Sequence, residues 1–476
     1  MEHFPTLTET VAALRRGEVT SEELTRRTLE RITELNAHLG AFVHVAPEAT
    51  LERARSADER LSSARGDSEE DASELPALLG IPTALKDGHD VAGMPTTWGS
   101  LTTRDETGTV PPAAVSEPLA ATLEASGAVI LGKTQVPEFL LNCYSENRAF
   151  PPARNPFALD CSPGGSSGGQ AAAVAAGILP GAVGSDGGGS IRIPAAACGL
   201  IGLKPNRGRV PSNDALSNVG QLGVNGPITR TARDAALFMD VLCHTPGHDR
   251  IDRPVRAAPE PSFTAVVDAA LAGRMPWGER PLRIGVSTAS PFDETYDISV
   301  SPEARAALDD GVRRLERAGH DVVDARISYD PAYPDAFFRL WTTTMGQLPL
   351  AGREEQLTGL ARAFRERALT RSAVDLADAV AVGGGLQVRL DLRLLGVGPR
   401  PVGVGREGEG VQVGLHVAGG SRIGVVAPRA ADVVRPLEQD EVGLAAPPEG
   451  DGHAEAGEPR PDDGDAQLVH AVPHGA

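Results

Sequence analysis

A chain of 476 residues with 41 % hydrophobic content can bury a large core, so an enzyme-sized globular protein is the starting expectation. A formal charge of -19 argues against nucleic acid or an anionic membrane surface as a partner, because either needs a basic footprint to displace counterions. The opening residues lack a basic start followed by an apolar run, and no stretch of about 18 apolar residues occurs anywhere, which together predict a soluble cytoplasmic protein.

Taken in chain order, TSEELTRRTLERITELN offers Thr20 and Ser21 as caps, acids in the first turn, and Leu24, Leu29, Ile32 and Leu35 on one face, the pattern of an amphipathic helix. PEATLERARSADERLSS reads as a second helix, and the acidic run ARGDSEEDASELP that follows reads as a surface loop. GIPTALKDGHD then carries a short apolar strand ending at Lys86. PLAATLEASGAVILGKT predicts a helix stopped near Gly127 and a strand AVILG. The same helix-then-strand rhythm returns in SPEARAALDDGVRRLERAGHDVVDA. There Ser301 is the cap, Pro302 the first helical residue, Ala307, Leu308, Val312 and Leu315 the apolar face, and Gly319 the stop. Alternation of this kind predicts an α/β fold, a single large domain with a mixed central sheet flanked by helices.

The four cysteines, Cys143, Cys161, Cys198 and Cys243, have no CxxC spacing and read as buried free thiols. Only three lysines, Lys86, Lys133 and Lys204, stand against 42 arginines, which singles out each of them for inspection.

Residues 161–192, CSPGGSSGGQAAAVAAGILPGAVGSDGGGSIR, admit several readings. A flexible linker would carry no buried face, yet QAAAVAAGIL is apolar and helix-forming. A phosphate loop would need GxxxxGK[ST], or GxGxxG after a strand, and neither is present. Ser166 and Ser167 both satisfy G-x-S-x-G, but Pro156, Asp160 and Pro163 argue against the strand that such an elbow requires. The histidines that could complete it, His244, His248 and His320, have no recognisable context. Ser190 follows Gly187, Gly188 and Gly189, which let the backbone turn sharply and aim several N–H groups at one point, as stabilising a tetrahedral oxyanion requires. A base for that serine could be Lys86, provided that burial lowers its pKa by about 3. A solvated strand-end lysine paired with Asp87 or Asp90 is the competing reading for Lys86 taken alone.

Lys86 does not stand alone. GIPTALKDGHDVAGMPTTWGS, PGGSSGGQAAAVAAG and GSDGGGSIRIPAAACGLIGLKPNRGRV, in this order, resemble the blocks of the amidase signature family, with GPITRTARDAALFMDVL extending the likeness. The resemblance implies a Ser-Ser-Lys triad in which Lys86 is the base, Ser166 the middle serine after a cis peptide bond, and Ser190 the acylated nucleophile. It further implies an oxyanion hole at Gly187, Gly188, Gly189 and the Ser190 amide. Ser167, Asp186 and Arg192 would support the site, Asp186 and Arg192 by an ion pair or by carboxylate bonds to N–H groups. Cys161 and Cys198 would be packing residues and His89 a satisfied polar loop residue. The expected activity is an amidase acting on linear or cyclic carboxylic amides, with a small-molecule amide as partner, no metal or organic cofactor, and a homodimer as a possible assembly. Many members carry Thr or Ile at the position of Gly187 and serine at that of Gln170. Those differences favour a general amide hydrolase over its alternative, the family's subunit of a transfer-RNA-dependent amidotransferase.

The expected domain covers residues 1–382, with its core at 70–243. Residues 383–476 contain no Phe, Trp, Tyr, Met, Cys, Asn, Thr or Lys but 19 glycines, and all 18 aromatics lie before residue 365. This stretch reads either as a natural low-complexity tail or as out-of-frame translation of GC-rich DNA. An uninterrupted frame in independent isolates would exclude the second. It also lacks the C-terminal strand with which family members finish the fold, so an inactive member is a further expectation.

Overall fold

The computed structural model describes residues 4–66, 75–206, 209–210, 222–243, 259–275, 278, 280–350, 352–384 and 389–390. Helix α1 (Leu7–Arg16) begins on a reciprocal capping box between Thr6 and Glu9 and stops at Gly17 in the left-handed region. Helix α2 (Ser21–Leu39) starts where its sequence predicts, with the Thr20 hydroxyl accepting the Glu23 amide. Its buried face differs from the expectation. Ser21, Thr25, Thr28, Ile32 and Leu39 point inward, whereas Leu24, Leu29 and Leu35 are only partly buried. Two of the three inward hydroxyls find backbone partners, Ser21 Oγ donating to the Gly80 carbonyl at 2.8 Å and Thr28 Oγ1 to the Leu24 carbonyl at 2.9 Å, while Thr25 Oγ1 has none among the described residues.

Strand β1 (Phe42–Val45) and helix α3 (Pro47–Gly66) follow. The core of the acidic run, 67–74, lies outside the described residues. Strand β2 (Pro82–Lys86), helix α4 (Pro118–Ala125) and strand β3 (Val129–Thr134) match the predicted elements, and Gly127 ends the helix at φ 82°. In the first ladder, ordered β1-β3-β2, β1 is antiparallel to β3 and β2 parallel, with Pro82 opposite Val129 and Lys86 opposite Thr134. Every residue of β2 and β3 is buried, so these strands are covered on both faces.

Helix α5 (Gly168–Ala175), strand β4 (Gly181–Asp186), helix α6 (Arg192–Ala197), strands β5 (Ile201–Gly202) and β6 (Val224–Thr229), and helix α7 (Ala232–Cys243) form the next unit. Its ladder, β4-β6-β5, is antiparallel throughout and abuts the first at β2 and β4, where Thr83 Oγ1 donates to the Gly181 carbonyl at 3.2 Å. The mixed sheet is thus two ladders joined side by side. Helix α5 is buried from Gly168 to Val174, its alanines packed against Leu131, Ala182 and Ile228, which disposes of the linker reading. Glycine at 169 is set by close approach: a Cβ there would lie 2.4 Å from the Gln135 amide nitrogen and 2.5 Å from the Ala41 carbonyl oxygen.

Helix α8 (Phe263–Leu271) and strand β7 (Arg283–Val286) precede α9 (Pro302–Arg317), capped by Ser301, and β8 (Asp321–Asp324), which pairs parallel with β7. The predicted face of α9 is only half-buried through Leu308, Val312 and Leu315, and Ala307 is exposed. Helices α10 (Tyr333–Gln347), α11 (Gly359–Leu369) and α12 (Ala373–Gly384) make two small apolar clusters around Met345 and Leu340. The result is a mixed α/β domain. No helix among the described residues is long and apolar enough to cross a membrane. The composition-biased stretch 383–476 lies outside the described residues, save the backbone at 383–384 and 389–390.

Candidate active site

Lys86 ends β2 and is fully buried. Its Nζ lies 2.9 Å from Ser166 Oγ, 2.8 Å from Ser185 Oγ and 3.4 Å from the Ser185 carbonyl oxygen. Burial pushes the ammonium down to about 7, against a partial pull upward from the Asp186 charge. Among the described residues no carboxylate comes within ion-pair distance of it. Lys133, the other fully buried lysine, differs in its partners: it donates to the His89 carbonyl and to Thr96 Oγ1, and Asp87 stands 3.9 Å away. Lys204 is half-buried and donates to the Pro205 carbonyl at 3.0 Å. Only Lys86 is surrounded by hydroxyls.

Ser166 sits in the loop before α5, with no strand leading into it, and the Gly165–Ser166 peptide is cis. A hydroxyl from a segment with no distinguishing motif clamps this loop: the buried Ser145 Oγ donates to the Gly164 carbonyl and accepts the Gly168 amide, each at 3.0 Å. The next residue ties the two serine segments together, since the Ser167 amide donates to the Ser190 carbonyl at 3.2 Å and Ser167 Oγ to the Ser185 carbonyl at 3.4 Å. Ser190 lies buried in the turn between β4 and α6, and its Oγ makes no hydrogen bond among the described residues.

Asp186, at the end of β4, holds that turn. Its carboxylate accepts the amides of Gly189 at 2.7 Å, Ile191 at 3.2 Å and Arg192 at 3.4 Å, and the Arg192 guanidinium in two bonds of 2.9 Å. Burial alone would raise this carboxyl, but the guanidinium and the amide bonds outweigh it and keep the group below its ordinary range. One consequence corrects an expectation. Gly189, foreseen among the oxyanion donors, spends its N–H on Asp186, whereas the amides of Gly187, Gly188 and Ser190 have no partner among the described residues.

Removing the carboxylate by Asp186→Ala orphans three amides and should cost about 3 kcal/mol of stability in urea unfolding. Arg192→Ala should cost under about 1 kcal/mol, because the guanidinium side chain is 54 % exposed and Asp186 keeps its amide partners. Equal losses would refute this division of labour.

His89 is buried beside Lys86 in the chain but pairs with Glu117, Nδ1 to Oε1 at 2.5 Å. His320 accepts the Leu282 amide at 3.4 Å next to β8, and His244 and His248 lie outside the described residues. Of the cysteines, Cys198 and Cys243 are buried, and burial pushes their thiols up to about 12 and about 11. Contrary to expectation, Cys161 is exposed and Cys143 half-buried, Cys161 because its backbone closes a surface turn with Asn155 and Ala158. Gln170 donates to the carbonyls of Val183 and Ala84, fastening α5 to both ladders. Ser185 is the closest neighbour of Lys86 that sequence reasoning missed. Its only signal was a hydroxyl after four small or apolar strand residues, next to Asp186. No group of three or more His, Cys, Asp or Glu that could hold a metal occurs among the described residues.

The chain is similar to known proteins over most of its length. A family description, Amidase, matches residues 23–372. A Mycobacterium tuberculosis protein named "Putative amidase AmiB2" is 41 % identical over 318 residues, 67 % of this chain and 60 % of that protein. A Glutamyl-tRNA(Gln) amidotransferase subunit of Desulforapulum autotrophicum is 41 % identical over 327 residues, 69 % of this chain and 62 % of that one. This chain therefore spans about 60 % of the length of such curated relatives. Among solved structures, a bacterial aryl acylamidase of the amidase signature family superposes with a TM-score of 0.67 at 28 % identity, covering 79 % of this chain and 75 % of that one. With the sequence blocks, the two ladders and the lysine-serine cluster all pointing the same way, the chain belongs to the amidase signature family.

Proposed function

We propose that this protein hydrolyses the C–N bond of carboxylic amides through an acyl-enzyme on Ser190. The observation that carries the reading is a buried Lys86 with a depressed pKa, whose Nζ is 2.9 Å from Ser166 Oγ. A neutral amine has two hydrogens and one lone pair. The Ser185 carbonyl can only accept, so it takes one hydrogen, and Ser185 Oγ can take the other, which leaves the lone pair for the Ser166 proton. Ser185 is thus a positioning residue for the base.

Lys86 then takes a proton from Ser166, Ser166 takes one from Ser190, and Ser190 Oγ attacks the carbonyl carbon. The negative charge that develops on the carbonyl oxygen meets the amides of Gly187, Gly188 and Ser190, while Gly189 and Asp186 keep the turn rigid. The proton returns through Ser166 to the leaving nitrogen, and water cleaves the ester by the same relay. None of these steps calls on a metal or an organic cofactor.

A panel of simple linear and cyclic amides run on the full chain should release ammonia or amine at a rate that disappears in Lys86→Ala. Release that requires ATP and a charged transfer RNA would move the protein to the amidotransferase reading, which the Desulforapulum autotrophicum relative supports. No release under either condition would overturn the proposal.

A further inference from the structure

The wall beside the proposed oxyanion loop is aromatic. This chain has 18 aromatic residues, and six of them, Phe292, Tyr296, Tyr333, Phe337, Phe338 and Trp341, form one cluster centred on α10. Phe337 and Trp341 stack with centroids 5.5 Å apart and planes 20° from parallel, and both rings lie over the glycine loop. A Cβ at Gly187 would come within 2.8 Å of Trp341 Cζ3, and one at Gly188 within 3.4 Å of Phe337 Cζ. Any side chain at 187 would therefore displace the indole. Glycine at 187 leaves room for the Trp341 indole.

The indole is held in orientation too, because Trp341 Nε1 donates to the Leu141 carbonyl at 3.2 Å. Leu141 closes a segment in which Phe139 and Leu140 adopt φ 49° and 62°, and the Phe139 amide donates to the carbonyl of Trp98, itself at φ 54°. Non-glycine residues in the left-handed region are uncommon, and these three fall in two touching loops beside Gly88, two residues from Lys86. Large apolar residues remain exposed in these surroundings: Trp98 beside Gly88, Ile193 with its side chain against Gly189, and Tyr144, whose backbone passes Gly165.

We propose that Trp341, seated on Gly187 and stacked on Phe337, is a specificity-determining residue that selects amides carrying a flat aromatic group. A carbonyl oxygen bound by the Gly187 and Gly188 amides brings its substituent against these rings, where an offset stack favours a planar ring over a puckered one of equal size. This inference rests on the amide-hydrolase reading above.

The test compares benzamide with cyclohexanecarboxamide, matched in carbon skeleton, on the full chain and its variants. Wild type should favour benzamide in kcat/KM by about tenfold or more, the range that apolar pocket contacts supply. Trp341→Leu should remove most of that preference, Trp341→Phe should keep most of it, and Gly187→Thr, which pushes the indole off the loop, should behave like Trp341→Leu. A preference unchanged in Trp341→Leu, or both substrates falling in parallel, overturns the proposal. If wild type cleaves neither amide, phenyl and cyclohexyl phosphonates labelling Ser190 give the same comparison. Selective labelling lost in Trp341→Leu then upholds the aromatic wall whatever the wider amide panel decides about the hydrolase reading, and unselective labelling overturns the wall.

Discussion

Ser190→Ala is expected to abolish covalent labelling by a serine-directed phosphonate and to lower amide turnover by at least about 10⁴-fold, the size of loss seen when a covalent nucleophile is removed from a relay that works as a unit. The fold should not notice. Ser190 Oγ has no hydrogen-bond partner among the described residues, so its removal orphans nothing and should change stability by under about 0.5 kcal/mol. Ser166→Ala is different in kind, because it takes a partner from the buried Lys86 Nζ and should lower both stability and the rate of labelling without moving the label. Mass mapping of the labelled peptide separates the candidates: the label belongs on Ser190, and a label on Ser166 or Ser167 would refute the assignment.

These assignments began from a motif, and it matters which physical facts a motif can carry. The ends of α2, α4 and α9 were legible because a cap is a local event: Thr20, Ser301 and Gly127 act on residues within a turn of themselves. Lys86 and Ser166 stand 80 residues apart and were paired only through resemblance to a family, since no local pattern announces which lysine is desolvated. Ser145 and Ser185 could not be read at all. Each matters through a partner brought to it by the meeting of β2, β4 and the loop before α5, and a lone serine has no periodicity to betray that. The Gly189 amide was misjudged because the competing acceptor, Asp186, reaches it only once the turn has closed. The indole of Trp341 reaches a carbonyl 200 residues away, beyond any pattern in the chain.

The pH profile makes the strongest demand on Lys86. With burial holding its pKa down to about 7, the neutral, proton-accepting form predominates only above that pH. Log kcat/KM should therefore rise with unit slope below pH 7 and level off above it, and Lys86→Ala should lose both the activity and the slope. Stability carries the same signature with a definite sign. A folded pKa far below the unfolded value of 10.5 means that the unfolded chain binds the extra proton between about pH 7 and 10.5, so this group makes the protein more stable as pH rises through that window. Below pH 7 the full penalty applies, on the order of 5 kcal/mol. Lys86→Met has no proton to lose and should lack this contribution, so its stability relative to wild type should be most favourable near pH 6 and should decline steadily toward pH 10. The absolute difference is offset by the hydroxyls of Ser166 and Ser185 left without their amine, about 1 to 3 kcal/mol, but that loss does not vary with pH and leaves the slope intact. Urea unfolding of both proteins across that range measures it. A flat rate profile from pH 5.5 to 8.5, together with a stability difference independent of pH, would mean that Lys86 stays charged in the fold, and the proton relay would have no base.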